Sequence, residues 1–438
     1  MKRILLMAGA ASLVAGCGVF GNRPNNTPTV GQRISVLSAE TDIQVDPLLA
    51  DVAITLPAAA VNTEWSQSGG NASKSMGHLA LGETVAPVWN VQIGQGSSRR
   101  ARLAAEPIYA DGRIYVMDTR AIVTAINPEN GSVLWRTPVR GADASDDTLF
   151  GGGVSFDNGR LYATNGSGYA VALNPATGAP MWEVRPGGPL RGAPTISNDN
   201  VYVVSQDNQL FALNPENGQT RWSASGTVEL AGVFGTAAPA AAQGTVVAGY
   251  SSGELAAYRY ENARIVWQDA LARTGVTTQV GALSDIDADP VIHEGRVYAI
   301  GQGGRMVALE LTTGQRLWEM NVAGMSTPAI AGEWIFVVTD EAQLLAVARS
   351  SGRIRWMSQL TRWRDAEDRR GPIHWRGPVL AGNRLILTNS QGQLVQVSPV
   401  DGSVLSTLDT RAPISLAPIV ANNMLLVLDD NGRLTAYR

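Results

Sequence analysis

The hydrophobic and polar positions of the chain follow one pattern that recurs eight times. Each copy has a short apolar run, a polar turn with glycine, two more apolar runs, and a second turn that usually ends in glycine four residues before a tryptophan. Short runs of β-branched and aromatic residues between such turns are typical of β-strands. A period of about 45 residues accommodates four strands and their turns, which predicts a β-propeller.

Seven tryptophans mark the outermost predicted strands, and an eighth copy has Ser406 at the corresponding position. One isolated sheet cannot bury both of its faces, so we expect these side chains to pack between neighbouring blades as structural anchors. They are Trp89, Trp135, Trp182, Trp222, Trp267, Trp318 and Trp356.

The first and last copies of the repeat are incomplete in complementary ways. The last copy, over residues 417–437, supplies three strands, whereas the segment around Trp89 has the pattern of a fourth strand without three before it. Pairing the two removes two open sheet edges. The sequence therefore predicts an all-β fold: an eight-bladed β-propeller of four-stranded antiparallel blades, closed by pairing the N- and C-terminal strands.

The N-terminus has the features of an export signal. Lys2 and Arg3 precede an apolar run over residues 4–14, and small residues precede Cys17. Such a run is too short for a stable membrane span, and small residues are typical of a cleavage site. Because Cys17 is the only cysteine, an exported form contains no internal disulfide.

The stretch that ends at Cys17 resembles the lipobox of bacterial lipoproteins. That resemblance implies that residues 1–16 are a lipoprotein signal peptide and that Cys17 is acylated. Gly18 follows, where lipoproteins kept in the inner membrane typically have Asp, so the outer membrane is the expected address. Residues 17–60 lack the repeat and are interpreted as a lipidated N-terminus and linker, and residues 61–438 as the propeller.

Composition and charge argue against several function classes. The formal net charge is −4 and there is no long basic run, which disfavours nucleic-acid binding. The three histidines, His78, His293 and His374, lie in different units, so a metal cluster or catalytic triad has few candidates. Ser251 lies between two glycines in a nucleophile-like pattern, but at a turn between strands with no helix after it. We therefore expect no enzymatic activity.

The Ala-x-Asn-Pro-x-x-Gly-x-x-x-Trp units, such as residues 172–182, resemble the repeats of pyrroloquinoline-quinone dehydrogenases. Those enzymes are eight-bladed propellers, so the resemblance implies this fold and suggests an enzyme. They typically have a vicinal cysteine pair over the cofactor, which one cysteine cannot provide, and a calcium-bound active site that has no counterpart among the motifs of this chain. A shared fold does not imply shared chemistry, and we expect no cofactor.

The lipobox, the linker and the quinoprotein-like repeat together resemble the BamB family of outer-membrane assembly lipoproteins over essentially the whole chain. The family is non-enzymatic. The resemblance implies a monomeric subunit of the β-barrel assembly (BAM) complex that is lipid-anchored on the periplasmic face of the outer membrane. It also implies binding to the POTRA domains of BamA and assistance to nascent outer-membrane proteins.

Two short stretches carry the partner expectation. Residues 282–287 resemble the family's Leu-Ser-Asp-Val-Asp loop, and residues 228–232 its Leu-x-Leu-Arg-Gly loop, with Ala231 in place of the arginine. An apolar centre rimmed by charge is typical of protein interfaces. The resemblance therefore implies that the contact with BamA is made by Val228, Leu230, Leu283, Asp285 and Asp287. The alternative is that Asp285 and Asp287 only accept backbone hydrogen bonds within a turn.

Two other function classes stay open at this point. A periplasmic quinoprotein-type dehydrogenase and a propeller that binds cell-wall glycan or polysaccharide are both compatible with an exported propeller. Residues 361–376 interrupt the period with charged and aromatic side chains. They are interpreted as a second partner surface or as a solvated loop whose tryptophans pack on a blade edge.

Overall fold

The computed structural model describes residues 43–141, 149, 151–227, 237–271 and 284–438. Over these ranges the chain is built from β-strands, and the only helical element is the 3-10 turn Pro47–Leu49. No helix in the described ranges is both long and apolar enough to cross a membrane.

The strands form eight four-stranded antiparallel sheets, so the predicted eight-bladed propeller is confirmed. Along the chain, β1 (Pro87–Gln92) comes first and the blades then follow one after another. Blade 1 has β2 (Ile108–Ala110), β3 (Arg113–Met117), β4 (Ile122–Ile126) and β5 (Val133–Pro138). Blade 2 has β6 (Val154–Asp157), β7 (Arg160–Thr164), β8 (Ala170–Leu173) and β9 (Pro180–Val184). Blade 3 has β10 (Thr195–Ser197), β11 (Asn200–Val204), β12 (Gln209–Leu213) and β13 (Thr220–Ser225).

The second half of the ring repeats the same order. Blade 4 has β14 (Ala240–Ala242), β15 (Thr245–Gly249), β16 (Glu254–Arg259) and β17 (Ile265–Ala270). Blade 5 has β18 (Val291–His293), β19 (Arg296–Gly301), β20 (Arg305–Glu310) and β21 (Arg316–Met320). Blade 6 has β22 (Ala329–Ala331), β23 (Trp334–Val338), β24 (Gln343–Ala348) and β25 (Ile354–Gln359). A hairpin of β26 (Trp363–Asp365) and β27 (Arg370–Pro372) then precedes blade 7.

Blade 7 has β28 (Trp375–Ala381), β29 (Arg384–Asn389), β30 (Gln393–Val397) and β31 (Val404–Asp409). Blade 8 has β32 (Ile419–Ala421), β33 (Met424–Leu428) and β34 (Arg433–Tyr437), and its outer strand is β1. The register of the closing pair places Pro87 opposite Tyr437 and Gln92 opposite Arg433. Ala86 and Arg438 exchange backbone hydrogen bonds of 2.9 and 3.0 Å beyond it. The predicted closure by N- and C-terminal strands is thereby confirmed.

Burial along each blade follows from its position in the ring. The second and third strands, such as β11 and β24, are buried almost throughout, because both of their faces pack against neighbouring blades. The outer strands alternate between exposed and half-buried residues, as in β5. Tight turns join the first two strands, and in blade 1 this turn has positive φ at Asp111 (50°) and Gly112 (65°). Such turns match the twist of a β-hairpin.

The seven repeated tryptophans make one contact in common. In each, the indole Nε1 donates a hydrogen bond of 2.8–3.0 Å to a backbone carbonyl in the last turn of the following blade. The acceptors, in chain order from Trp89 to Trp356, are Pro128, Pro175, Pro215, Tyr260, Leu311, Arg349 and Pro399.

In six of the seven joints a glycine of that turn lies against the indole, and in the turn that bonds Trp222 its place is taken by Ala263, with φ of 59°. Gly178 has φ of +73°, and a Cβ atom there would lie 2.5 Å from Cε3 of Trp135. Both the backbone conformation and the closeness of the indole exclude a larger side chain. The glycine and the tryptophan of the repeat are therefore two halves of one joint between adjacent blades.

The eighth junction of the ring lacks this joint. Ser406 replaces the tryptophan in β31, and β34 and β1 are not joined by a turn, because they come from distant parts of the chain. A tryptophan at position 406 would therefore find no carbonyl of such a turn in blade 8. The junction next to the closure therefore depends on strand pairing and side-chain packing.

Trp356→Phe is expected to lower the free energy of unfolding by about 1 kcal/mol, because phenylalanine keeps most of the packing but cannot donate to the carbonyl of Pro399. Urea denaturation measures this change. Trp363→Phe is the control, because Trp363 lies in the extra hairpin and its ring contacts Arg362. Equal stability losses in the two variants would contradict a specific role for the indole N–H.

Candidate functional site

The long connections of the propeller lie at one end. Each blade is an antiparallel meander, so every outer strand finishes at the end where the next inner strand begins. We call this end the connection face. The opposite end carries the turns between first and second strands, such as Asp111 and Gly112.

The partner residues predicted from the sequence belong to two consecutive connections between blades. Val228 and Leu230 lie in the segment between β13 and β14, and Leu283 in the segment between β17 and β18. All three fall outside the described residues, as does Cys17. Asp285 and Asp287 are described, and they lie just before β18.

Asp285 and Asp287 meet a buried arginine from another connection. Arg191, which precedes β10, places Nη2 3.7 Å from Oδ1 of Asp285 and 3.4 Å from Oδ1 of Asp287. The exposed fractions of the three side chains are 2% for Arg191, 0% for Asp285 and 10% for Asp287. Gln302 donates a 2.5 Å hydrogen bond to the other oxygen of Asp287. The carboxylate of Asp285 therefore lies inside the protein rather than on the rim of a surface.

Backbone hydrogen bonds fix the same group of residues. Gln302 donates its N–H to the carbonyl of Asp285 (2.9 Å), and Arg191 donates its N–H to the carbonyl of Val204 (2.8 Å). Burial lowers the pKa of Arg191, although both carboxylates oppose the shift. Burial also raises the pKa of Asp287, against the effect of Arg191. A buried charge is costly without an opposite charge beside it, so the arginine holds the two aspartates in place.

A segment before the first blade crosses the centre of the ring. Residues 62–79, which we call the axial segment, form hydrogen bonds with the innermost strand, or the turn that follows it, in seven blades. Trp65 exchanges backbone bonds with Tyr109 in blade 1, and Leu79 donates to Leu380 in blade 7. The other contacts are Ser66 with Phe156, Gln67 with Ile196, Ala72 with Ala241, Ser73 with Ile292, and Asn62 with Asn422.

A cavity of about 400 Å³ lies between the axial segment and the connection face. The axial segment supplies Trp65 and Met76, and the walls are the beginnings of inner strands and the connections before them. Glu106, Asp287 and Arg376 are among the charged side chains that line it. Asp287, one of the expected partner residues, is thus also part of the wall of this cavity.

Lys74 attaches the axial segment to the wall. It is 3% exposed, donates a 3.0 Å hydrogen bond to Oγ1 of Thr195 and is attracted by Asp289 and Glu106. Burial lowers the pKa of Lys74 to about 8. Burial, with a smaller effect of Asp289, raises the pKa of Glu106 to about 7. Asp289 accepts hydrogen bonds of 2.7 Å from Oγ of Ser68 and from the N–H of Ala238.

The remaining candidates from the sequence are dispersed. Within the described ranges, no three His, Cys, Asp or Glu side chains are grouped so that they could hold a metal ion. Ser251 donates a hydrogen bond of 2.8 Å from Oγ to Oδ1 of Asn208. In the insertion 361–376, Trp375 is 7% exposed and bonds the carbonyl of Thr361, whereas the tip of the hairpin is exposed.

Comparison with known proteins identifies the family to which the chain is similar. The family described as "Outer membrane protein assembly factor BamB" matches residues 79–149, 140–358 and 360–438. The assembly factor BamB of Yersinia pestis is 24% identical over 357 residues, covering 80% of this chain and 88% of the relative. That of Vibrio cholerae is 34% identical over 257 residues, covering 59% of this chain and 66% of the relative.

Solved structures show the same fold. BamB from Moraxella catarrhalis superposes with a TM-score of 0.68 at 19% identity, covering 81% of this chain and all of that one. The quinohemoprotein alcohol dehydrogenase of Comamonas testosteroni reaches 0.66 at 13% identity, covering 86% and 81%. At such identities the likeness concerns the fold alone, and the family is given by the match along nearly the whole propeller. The chain belongs to the BamB family of outer membrane protein assembly factors.

Proposed function

We propose that this chain is a non-enzymatic scaffold of the BAM complex, a monomeric subunit that binds the POTRA domains of BamA and assists the folding and insertion of nascent outer-membrane proteins. Its relatives carry the name of assembly factors. Acylation at Cys17 would hold the propeller at the periplasmic face of the outer membrane. The part of residues 17–60 that precedes Asp46 would span the distance from the lipid, because Asp46 already donates its N–H to the carbonyl of Ile354 in β25.

The proposal is supported by the order of the expected partner residues along the chain. Two consecutive connections between blades contain them, with Val228 and Leu230 between β13 and β14, and with Leu283, Asp285 and Asp287 between β17 and β18. The connection between β17 and β18 is fixed at its root, the end next to β18, by the ion pairs of Asp285 and Asp287 with Arg191. A rigid root limits the conformational entropy that a binding segment loses when it meets its partner.

The burial of the two aspartates suggests different tasks for the expected partner residues. Asp285 has no exposed side-chain area, so it supports the surface from below through Arg191. Asp287 retains a small exposed fraction. We therefore propose that Val228, Leu230 and Leu283 provide the contact area with BamA and that the two aspartates position the second connection.

The test replaces one apolar contact residue without touching the ion pair. Leu230→Glu is expected to reduce the amount of BamA that co-purifies with the protein from detergent-solubilised membranes by at least about tenfold, because a carboxylate must then enter an apolar contact. Quantitative immunoblotting of the eluate measures the recovery.

Leu405→Glu is the matched control, because Leu405 is an exposed leucine on the outer strand of blade 7, away from the connection face. This variant should recover BamA as the wild type does. Undiminished recovery with Leu230→Glu, or an equal loss with both variants, would move the interface elsewhere.

A further inference from the structure

Exposed arginines are grouped where blade 8 meets blade 1 on the connection face. Arg99, Arg100 and Arg102 lie in the connection between β1 and β2, and Arg120 lies in the turn between β3 and β4. An antiparallel meander brings that turn to the same end of the blade as the connection. We call these four residues the arginine patch. It occurs in a chain whose formal net charge is −4.

The connection and the turn that carry the arginine patch are bonded to each other. Gln95 donates its N–H to Oδ2 of Asp118 (2.9 Å), and Thr119 donates from Oγ1 to the carbonyl of Gln95 (3.1 Å). Within the connection, Ser98 donates its N–H to the carbonyl of Ala101 (2.7 Å) and accepts the N–H of Ala101 at Oγ (3.1 Å). The backbone therefore holds the arginines close to one another.

The acidic side chains of this part of the ring do not neutralise the patch. Asp118, Asp429 and Asp430 are 4%, 7% and 9% exposed, respectively. Asp118 and Asp429 accept backbone N–H groups of their own turns, and Asp430 accepts two serine hydroxyl groups. No ion pair or side-chain hydrogen bond joins a guanidinium of the patch to another described residue. Four positive charges are therefore open to an external anion.

Arginines at the opposite end of the propeller have a different environment. Arg113, Arg160 and Arg221 each lie 2.6–3.0 Å from a carboxylate oxygen of the same chain. Such pairs cancel most of the charge that an approaching ligand meets. The arginine patch lacks this internal compensation.

The composition of the surface indicates which kind of anion it fits. Protein interfaces usually have an apolar centre from which charged residues are depleted. Among the described residues of the connection between β1 and β2 and the turn between β3 and β4, no large apolar side chain is exposed, and Leu103 is buried. Attraction to an anionic membrane needs only charge, and each Lys or Arg near such a surface adds about fivefold to affinity. Guanidinium groups also bind phosphate oxygens in pairs.

We infer that the arginine patch binds the phosphate groups of anionic phospholipids at a membrane surface. The patch lies between blades 8 and 1, across the ring from blades 4 and 5, which follow the two connections with the expected partner residues. A membrane contact at the patch leaves the opposite side of the ring available to a protein. The inference concerns a surface other than the proposed BamA contact and does not depend on that contact.

The experiment measures binding of the full chain to two kinds of vesicle by cosedimentation. The chain has the substitution Cys17→Ser, which removes acylation as a source of membrane binding. One vesicle is phosphatidylcholine, and in the other about one-third of the lipid is anionic phosphatidylglycerol. At an ionic strength of about 0.1 M, binding to the anionic vesicle should be at least about tenfold stronger. At about 1 M the difference should disappear, because charges are then screened within about 3 Å.

A fourfold variant tests the residues. It should lose at least about tenfold in affinity for the anionic vesicle, because it removes the four charges of the patch. The matched control removes four arginines from ion pairs of the opposite end and should bind as the parent chain does. The fourfold variant is Arg99→Gln, Arg100→Gln, Arg102→Gln and Arg120→Gln, and the control is Arg113→Gln, Arg160→Gln, Arg221→Gln and Arg438→Gln.

Circular dichroism checks that both variants fold. If the fourfold variant does not, Arg99→Gln with Arg100→Gln at the tip of the connection takes its place and should lose about fivefold or more.

Three results would overturn the inference: equal binding to the two vesicles, equal losses in the two fourfold variants, or a preference for the anionic vesicle that persists at high ionic strength. Binding to poly-L-glutamate without binding to the anionic vesicle would also overturn it, since an acidic protein would then be the partner. Asp143, Asp146 and Asp147 lie outside the described residues, in the connection between β5 and β6. If their carboxylates neutralised the patch, the anionic vesicle would not be preferred.

Discussion

Deleting residues 435–438 is expected to lower the unfolding temperature by about 5–10 °C, because the deletion removes most of the strand that closes the ring. Ala436 and Tyr437 are buried, and Thr435 and Tyr437 pair with Asn90 and Pro87 of β1. Without them, two sheet edges lose their partners, and unpaired edges promote association between molecules. Differential scanning calorimetry gives the temperature, and light scattering detects the association.

Arg438→Ala is the control for this deletion. It removes a guanidinium that lies 3.6 Å from the exposed Glu129 but leaves both strands intact, so it should change the unfolding temperature little. A truncated protein that melts together with the control would show that the pairing of β1 with β34 does not hold the ring closed.

Arg191→Met is expected to lower the free energy of unfolding by about 3–5 kcal/mol, because it leaves the carboxylates of Asp285 and Asp287 in a buried site without their guanidinium. Methionine has a similar length and keeps much of the packing, so the loss reports on charge. Urea denaturation at neutral pH measures it.

Two further variants make this result specific. Arg160→Met breaks an ion pair with Glu216, which is 63% exposed, and should cost less than about 1 kcal/mol. Adding Asp285→Asn and Asp287→Asn to Arg191→Met should recover part of the loss, because neutral amides are cheaper to bury than charges. A cost for Arg191→Met no larger than that of Arg160→Met would show that the buried charges do not depend on the arginine.

The repeat made the fold predictable because its signals are local. A turn glycine, a β-branched run and a tryptophan four residues after a glycine each report on residues a few positions away. The closure was also predictable, since an unpaired strand at one end of the repeat matches three strands at the other. The joint between Gly178 and Trp135 explains why the two residue types keep a fixed place in the period.

The site was less predictable because it depends on contacts between distant parts of the chain. Nothing near Arg191 indicates that its guanidinium meets Asp285 and Asp287, which belong to another connection. Ala231 stands where the family's loop has an arginine. In the structure, the guanidinium that meets Asp285 and Asp287 belongs to Arg191. Burial of Asp285 could not be inferred either, because a carboxylate in a loop is usually solvated.

The path of the axial segment across the ring could not be predicted for a related reason. Residues 62–79 lack the repeat and are rich in small polar residues, which is the composition of an ordinary lead-in. Their order comes from the inner strands of seven blades, and those strands are adjacent only once the ring exists. Nothing in the sequence around Lys74 and Trp65 therefore indicated that both side chains are buried.

The junction without a tryptophan has a consequence for how the protein is made. Seven joints connect a blade with its successor in the chain and can form in order as the polypeptide emerges. The junction between blades 7 and 8 has no such joint, and blade 8 itself is complete only when Gln92 of β1 pairs with Arg433 of β34. This contact has a very long sequence separation, and such contacts form slowly. We expect the nascent propeller to pass through an open, horseshoe-shaped intermediate that lasts until β34 is available to pair with β1.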